Sequence, residues 1–189
     1  MMRKPVVTLL FALLAVALVA GAAPARADQN DSRLPELYER LKTAGSAREA
    51  RVLEAAIWTI WMETDDDDIG LLFRRGMEAM ANDTPDDALN YFSQVTRRAP
   101  DFAEGWNKRA TIFFVMGDFQ ASVEDVERTL ALEPRHFGAL SGLGLINLAL
   151  GREAAALKAF EAAMAVNPFF TGVRERVKEL RDKLGGKPT

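Results

Sequence analysis

Three observations predict an all-α fold built as an array of antiparallel helix pairs. Pro100, Pro134 and Pro168 are spaced 34 and 34 residues apart, and each closes a stretch that reads as two short helices. Writing the segments that end at these prolines beneath one another puts large residues under large and small under small. Leu72, Trp106 and Leu140 align, as do Gly76, Ala110 and Gly144, then Ala88, Ser122 and Ala156, then Phe92, Val126 and Phe160. No stretch reads convincingly as a strand. Two antiparallel helices approach closely only where side chains are small, so the Gly76 and Ala88 rows mark the crossing and the large rows fill the space around it. A pair this short cannot bury its own apolar face, so each unit needs a neighbour.

The elements follow in chain order. Residues 1–27 read as an export signal: Arg3 and Lys4 precede an apolar run from Val6 to Ala20, and Ala25-Arg26-Ala27 has the small-x-small form of a cleavage site. Cleavage before Asp28 is expected. The competing reading is an uncleaved anchor, because Pro5 to Ala23 approaches the ~20 residues that span a bilayer. Loss of Arg3, Lys4 and Arg26 would take the formal net charge from −3 to −6. That mild acidity argues against nucleic acid or anionic lipid as the main partner.

Residues 28–68 are expected to hold a polar linker, a helix pair and an acidic loop. Leu34 to Lys42 reads as one helix and Ala47 to Thr64 as a second, with Gly45-Ser46 as the turn. The pair lacks the small-residue rows, so it is either a degenerate first repeat or a cap that shields the open end of the array. Trp58 and Trp61 are expected to pack on the first repeat as core, or else to stand out as a partner anchor. Asp65 to Asp68 lacks the alternating ligands, glycine turn and later Glu of a calcium loop. The run reads as a solvated loop whose last acids complement the dipole of a helix starting near Ile69.

Residues 69–168 carry the three repeats, divided as 69–102, 103–136 and 137–170. Thr84-Pro85-Asp86-Asp87 supplies a capping hydroxyl, a first-turn proline and two acids for the second helix of the first unit. Met116-Gly117-Asp118 and Leu150-Gly151-Arg152 make the matching turns in the next two units. Within residues 171–189, Thr171 to Leu184 reads as an amphipathic, charged helix that ends the array, with Val173, Val177, Leu180 and Leu184 on one stripe, followed by a frayed tail.

The period, the row of W/L, G/A, small, F/V and P, and the helix-turn-helix unit resemble the tetratricopeptide repeat, over Ile69 to Pro168. Where that family favours a tyrosine late in the first helix, this chain has Ala79, Phe113 and Asn147. The resemblance implies a solenoid whose first helices line a concave groove for peptides or helices of other proteins. Helical spacing places Phe73, Met77, Met80, Asn107, Thr111, Phe114, Ser141, Leu145 and Leu148 on that face, six of the nine being apolar, with Asn107, Lys108 and Thr111 supplying orientation. Such a groove suits an amphipathic helix or hydrophobic peptide. In chaperone adaptors of the family a set of Lys, Asn and Arg clamps a peptide C-terminus. The matching positions here are Phe73, Met77, Lys108, Ala139 and Gly142, of which Lys108 alone could serve, so that activity does not carry over.

No other chemistry is indicated. With no cysteine there is no disulfide, thiolate metal site or thiol nucleophile. His136 is the single histidine, at a helix start, and Ser141 five residues on points to another side of that helix, so they form no nucleophile and base. Glu124, Asp125 and Glu127 share a helix with Arg128 and read as a solvated face. The expectation is therefore a non-enzymatic periplasmic adaptor that needs no cofactor or metal. The alternative is a self-associating subunit, a homodimer through Phe73, Met77 and Met80, or one tethered to the inner membrane.

Overall fold

The structure is a computed structural model and describes residues 28–185. The leader reading, for residues 1–27, and the last four residues lie outside the described residues. A single 3-10 turn, Asp28–Asn30, is followed by α1 (Leu34–Lys42), α2 (Ala47–Met62), α3 (Asp67–Ala81), α4 (Pro85–Arg98), α5 (Ala103–Met116), α6 (Phe119–Leu132), α7 (Phe137–Ala149), α8 (Glu153–Val166) and α9 (Val173–Gly185). Among the described residues there is no strand, and no helix is long and apolar enough to cross a membrane.

Helix α2 stops two residues before the expected Thr64 because Glu63 turns extended, at ψ 149°. Helix α3 begins at Asp67: the Asp66 carboxylate accepts the Asp68 and Ile69 amides, and Asp67 and Asp68 occupy the first turn, where the helix dipole favours acids. At α4 the expected hydroxyl cap does not form. Thr84 Oγ1 instead donates to the Ala79 carbonyl across the turn, 3.1 Å away. That turn is the first of a row at positions 83, 117 and 151, where Gly117 and Gly151 hold φ +81° and +70° and Asp83 holds φ +55° without being a glycine.

The helices stack as the antiparallel pairs α3–α4, α5–α6 and α7–α8, with α4 on α5, α6 on α7 and α9 on α8. The small-residue rows lie at the crossings. A Cβ on Gly76 would stand 2.7 Å from the Phe92 ring, and one on Gly144 2.4 Å from the Phe160 ring. In the middle pair Ala110 replaces the glycine and Val126 the phenylalanine, and Ser122 Oγ donates to the Ala110 carbonyl at 2.8 Å. Helix α9 buries Val173, Val177 and Leu180 against α8, closing the C-terminal end.

The other end is closed differently. Helix α5 meets α4 through Gly105, whose Cβ would lie 2.7 Å from Val95, through Arg109 on Thr96, and through Ile112 in the apolar cluster around Val95. One period later, Ala139, Leu143 and Ile146 do the same for α7. One period earlier the positions are Leu71, Arg75 and Glu78, all exposed, with Arg75 and Glu78 paired at 3.6 Å. Two of these three are charged, so the first unit carries a largely polar end face of the kind terminal repeats have.

Helices α1 and α2 are accordingly neither a stacked repeat nor an end cap, which corrects that expectation. They lie across the inter-unit turns and the starts of α5 and α7. Trp58 and Trp61 are core, but their neighbours belong to the second and third units, not the first. Trp61 stacks on His136 at 3.9 Å between ring centroids, and both indoles contact Phe137. Trp58 also occupies the place a side chain at Gly138 would need, 2.5 Å from its missing Cβ. Polar ties complete the seat: Gln29 spans the Asp101 carbonyl and the Ala103 amide, Tyr38 donates to Glu133, and Asn167 donates to Glu54.

Candidate partner-binding groove

Helices α3, α5 and α7 present successive rows to one side of the array, and α5 and α7 meet there directly. Two rows define a strip: Met77, Thr111 and Leu145, then Met80, Phe114 and Leu148. Between the second and third units the strip dips into a cavity of about 70 Å³ lined by Asn107, Thr111, Phe114, Gly142 and Leu145, with Val126 and Ile146 beneath. The cavity exists because Gly142 has no side chain. A Cβ there would meet nothing within 4 Å, while the same row in the preceding units carries Arg74 and Lys108.

The polar groups of the lining are bonded to the protein. Thr111 Oγ1 donates to the Asn107 carbonyl at 2.9 Å, Ser122 Oγ to the Ala110 carbonyl, and the Asn107 amide to Glu104 at 2.9 Å. What remains for a guest is apolar surface, with room for the tip of one side chain.

The expected groove residues divide into three sets. Thr111, Phe114 and Leu145 are brought together at the cavity, with Asn107 at its inner edge. Leu145 and Leu148 rest on the third unit's apolar cluster, Met77 and Met80 on the first unit's, and Ser141 is half-buried. Phe73 is a correction: it is 4 % exposed, with its ring 5.6 Å from Phe92 and 5.2 Å from Phe102, so it belongs to the core of the first unit and offers no surface. Phe73 and Met77 lie one turn apart on the same face of α3, and helical spacing alone does not say that Phe102 covers the first of them.

Lys108 and Asn107 belong to a buried cluster that the sequence does not announce. Glu104 is fully buried and gathers the Lys108 ammonium at 3.0 Å, Asn107, and His136 Nε2 at 2.8 Å. His136 Nδ1 accepts the Ala139 amide and so caps α7, which leaves the proton on Nε2, donated to Glu104. Both ring nitrogens are therefore committed. Burial by itself would push the Glu104 carboxyl up, but Lys108 and the His136 bond outweigh it and hold the group below its ordinary value. Lys108 also lies over the Trp58 ring at 5.2 Å. The one cation matching a peptide-carboxylate clamp is thus spent inside the fold.

Asp125 is likewise not on a solvated face. It is 3 % exposed and receives Arg109 in a two-bond fork, both at 2.7 Å, with Arg109 also reaching Thr96 Oγ1 at 2.9 Å. Burial, the largest influence, keeps its carboxyl above the ordinary value even so. Burial, together with Glu133, also pushes the Tyr38 phenol up.

The sequence reading named Gly142 only as a clamp-matching position and missed the gap that a row-by-row comparison of positions 74, 108 and 142 exposes. It also missed Met116 and Leu150, a further row at the C-terminal ends of α5 and α7 whose side chains are 45 % and 39 % exposed.

The chain is similar to known proteins throughout this region. A family model described as tetratricopeptide repeat matches residues 73–115 and 107–168. A TPR repeat-containing protein of Rhizobium etli is 35% identical over 157 residues, which cover 83% of this chain and 77% of that protein. Among solved structures, the first TPR of Spaghetti (RPAP3), bound to the HSP90 peptide SRMEEVD, superposes with a TM-score of 0.61 at 19% identity, covering 65% of this chain and 97% of the other. MamA superposes with a TM-score of 0.59 at 20% identity, covering 78% and 84%.

Proposed function

Because the chain belongs to the tetratricopeptide repeat family, we propose that it is a protein-binding scaffold whose concave side holds an amphipathic helix or hydrophobic peptide of a partner. The observation that carries this reading is the apolar cavity between α5 and α7, lined by Phe114 and Leu145, with the side-chain donors of Asn107, Thr111 and Ser122 already bonded within the fold. An apolar side chain entering it would gain burial without leaving a polar group unpaired. The solved neighbour that carries an HSP90 peptide supports a peptide as the class of ligand. Its acidic peptide is not carried over, since Lys108 is held by Glu104. The seat of α1 and α2 narrows the site to the C-terminal halves of α5 and α7, so a single short segment is the fitting guest.

The form of residues 1–27 supports the periplasm as the place of work, reached by Sec-type export and cleavage before Asp28. An intact-mass measurement on chain recovered from the periplasmic fraction tests this: a first residue of Asp28 agrees, and an intact leader in the membrane fraction overturns it. The groove is tested with a photo-crosslinking residue at position 145 in living cells and a control at position 71. A partner captured from 145, absent from 71, and no longer captured from 145 when Phe114→Asp is added with unchanged helicity is the expected result. A folded variant that still holds the same partner removes the groove from consideration.

A further inference from the structure

Among the described residues, the outward face of α2 has no neighbour. Val52, Ala55, Ala56, Thr59 and Met62 share one side of the helix, opposite the side that buries Leu53, Ile57 and Ile60. Val52 is 65 % exposed and Met62 37 %. Thr59 turns its hydroxyl back to the Ala55 carbonyl at 2.9 Å, leaving its methyl outward. From Ala55 to Met62 the helix carries no charge on any side, a pattern that belongs to a helix covered all round. The charges lie at the two ends of this face. Arg48 is at the start, with no ion-pair partner among the described residues. Glu63 is at the end, 45 % exposed and held by Arg33 at 3.0 Å.

The face also holds a projection and a hollow. Val52 stands out on one half. On the other half, Ala56, Thr59 and Ile60 border a hollow of about 400 Å³ that Arg33, Glu36 and Leu37 close from the side of α1. Projection and hollow are equidistant from a point between Ala55 and Ala56. We infer that α2 is the seam of a two-fold symmetric dimer, with the occupant of this face being α2 of a second copy laid antiparallel about that point. Val52 of each copy then enters the hollow beside Thr59 of the other, and Arg48 of each meets Glu63 of the other. This register satisfies shape and charge together, and because each surface meets its own copy the assembly closes at two. The contact is a single helix face of about 22 Å, from Arg48 to Glu63, so the dimer is a weak one, forming in the micromolar range.

The seam differs from the groove, and the experiment separates the two. Chain expressed from its full reading frame is examined by sedimentation over a concentration series, beside Val52→Glu, Arg48→Glu, and Arg48→Glu/Glu63→Arg. The chain has no cysteine, so Ala55→Cys can form a disulfide only between copies, and Leu71→Cys serves as an exposed control. Expected are a concentration-dependent dimer, weakening by about tenfold or more in Val52→Glu and Arg48→Glu, recovery in the charge exchange, and rapid oxidative linkage of Ala55→Cys alone. Because Val52 and Arg48 are exposed, helicity should not change. A chain that stays monomeric at the highest concentration, or a dimer that ignores all three seam variants, or equal linkage of the two cysteine variants, overturns the inference.

Discussion

The middle helix pair and its two neighbours make the same crossing from different materials. In α3–α4 and α7–α8 a phenylalanine ring fills the space left by a glycine: Phe92 at Gly76 and Phe160 at Gly144. In α5–α6 both partners are of middling size, Ala110 and Val126, and Ser122 adds a hydrogen bond across the crossing. The middle pair also buries charge, with Asp125 under Arg109 and Glu104 among Lys108, Asn107 and His136. It is this pair, with the turn after it, that α2 and its indoles cover. The repeat pattern thus fixes a shape, and the composition of a unit decides what else can be attached to it.

The largest effect should come from breaking the buried charge. Arg109→Met leaves Asp125 enclosed without its guanidinium and should cost about 3–5 kcal/mol in urea unfolding, whereas Arg109→Met/Asp125→Leu should recover most of it. A double variant no better than the single would show that Arg109 matters through its stacking on Trp106, 4.8 Å away, and not through charge. Next comes exchange of the crossing itself. Gly144→Ala places a Cβ inside the Phe160 ring contact and should cost about 1–3 kcal/mol. Adding Phe160→Val rebuilds the middle unit's pair, so the double should be more stable than the sum of the singles by about 0.5–3 kcal/mol. Strict additivity in a thermal melt would mean that the rows do not act as pairs.

The pH dependence separates the two buried acids. Glu104 is held below its ordinary value of 4.5, so it stabilises the fold above that pH and the contribution is lost as pH falls through the lower folded value. Asp125 is held above its ordinary value, so its contribution runs the other way, favouring the folded state on acidification. The melting temperature of Glu104→Gln should start lower at neutral pH but fall less on acidification than that of the parent chain. Parallel curves would show that Glu104 does not carry the acid dependence. The smallest effect lies in the turns: Asp83→Gly brings the first unit into line with Gly117 and Gly151 and should add up to about 1 kcal/mol.

The period, the crossing rows and the helix ends were legible in the sequence because each rests on local chemistry: a glycine where a ring must fit, an acid at a first turn, a stripe on α9. The position of α1 and α2 was not, because it depends on contacts such as Trp61 on His136 and Tyr38 on Glu133, which no periodicity encodes. Phe73 and Asp125 were misplaced for a related reason. Aromatic and acidic residues serve buried and exposed sites alike, and which applies here depends on Phe102 and Arg109, a unit away or on the facing helix. The Thr111, Phe114 and Leu145 cavity could be placed by helical spacing, but its depth comes from Gly142, a residue that is informative only beside its counterparts in the other units.

The tie from Glu54 to Asn167 joins residues 113 apart, and that from Tyr38 to Glu133 joins residues 95 apart. A solenoid otherwise closes only short loops, each unit settling on the one before it as synthesis proceeds. Helices α1 and α2 are made before most of the residues they rest on, Glu133 and Asn167 among them, so their docking is expected to follow assembly of the second and third units and to close a ring through them. With the ring closed, the second and third units are expected to open together in hydrogen exchange, and the first, tied to it through Gln29 on Asp101, to open more readily.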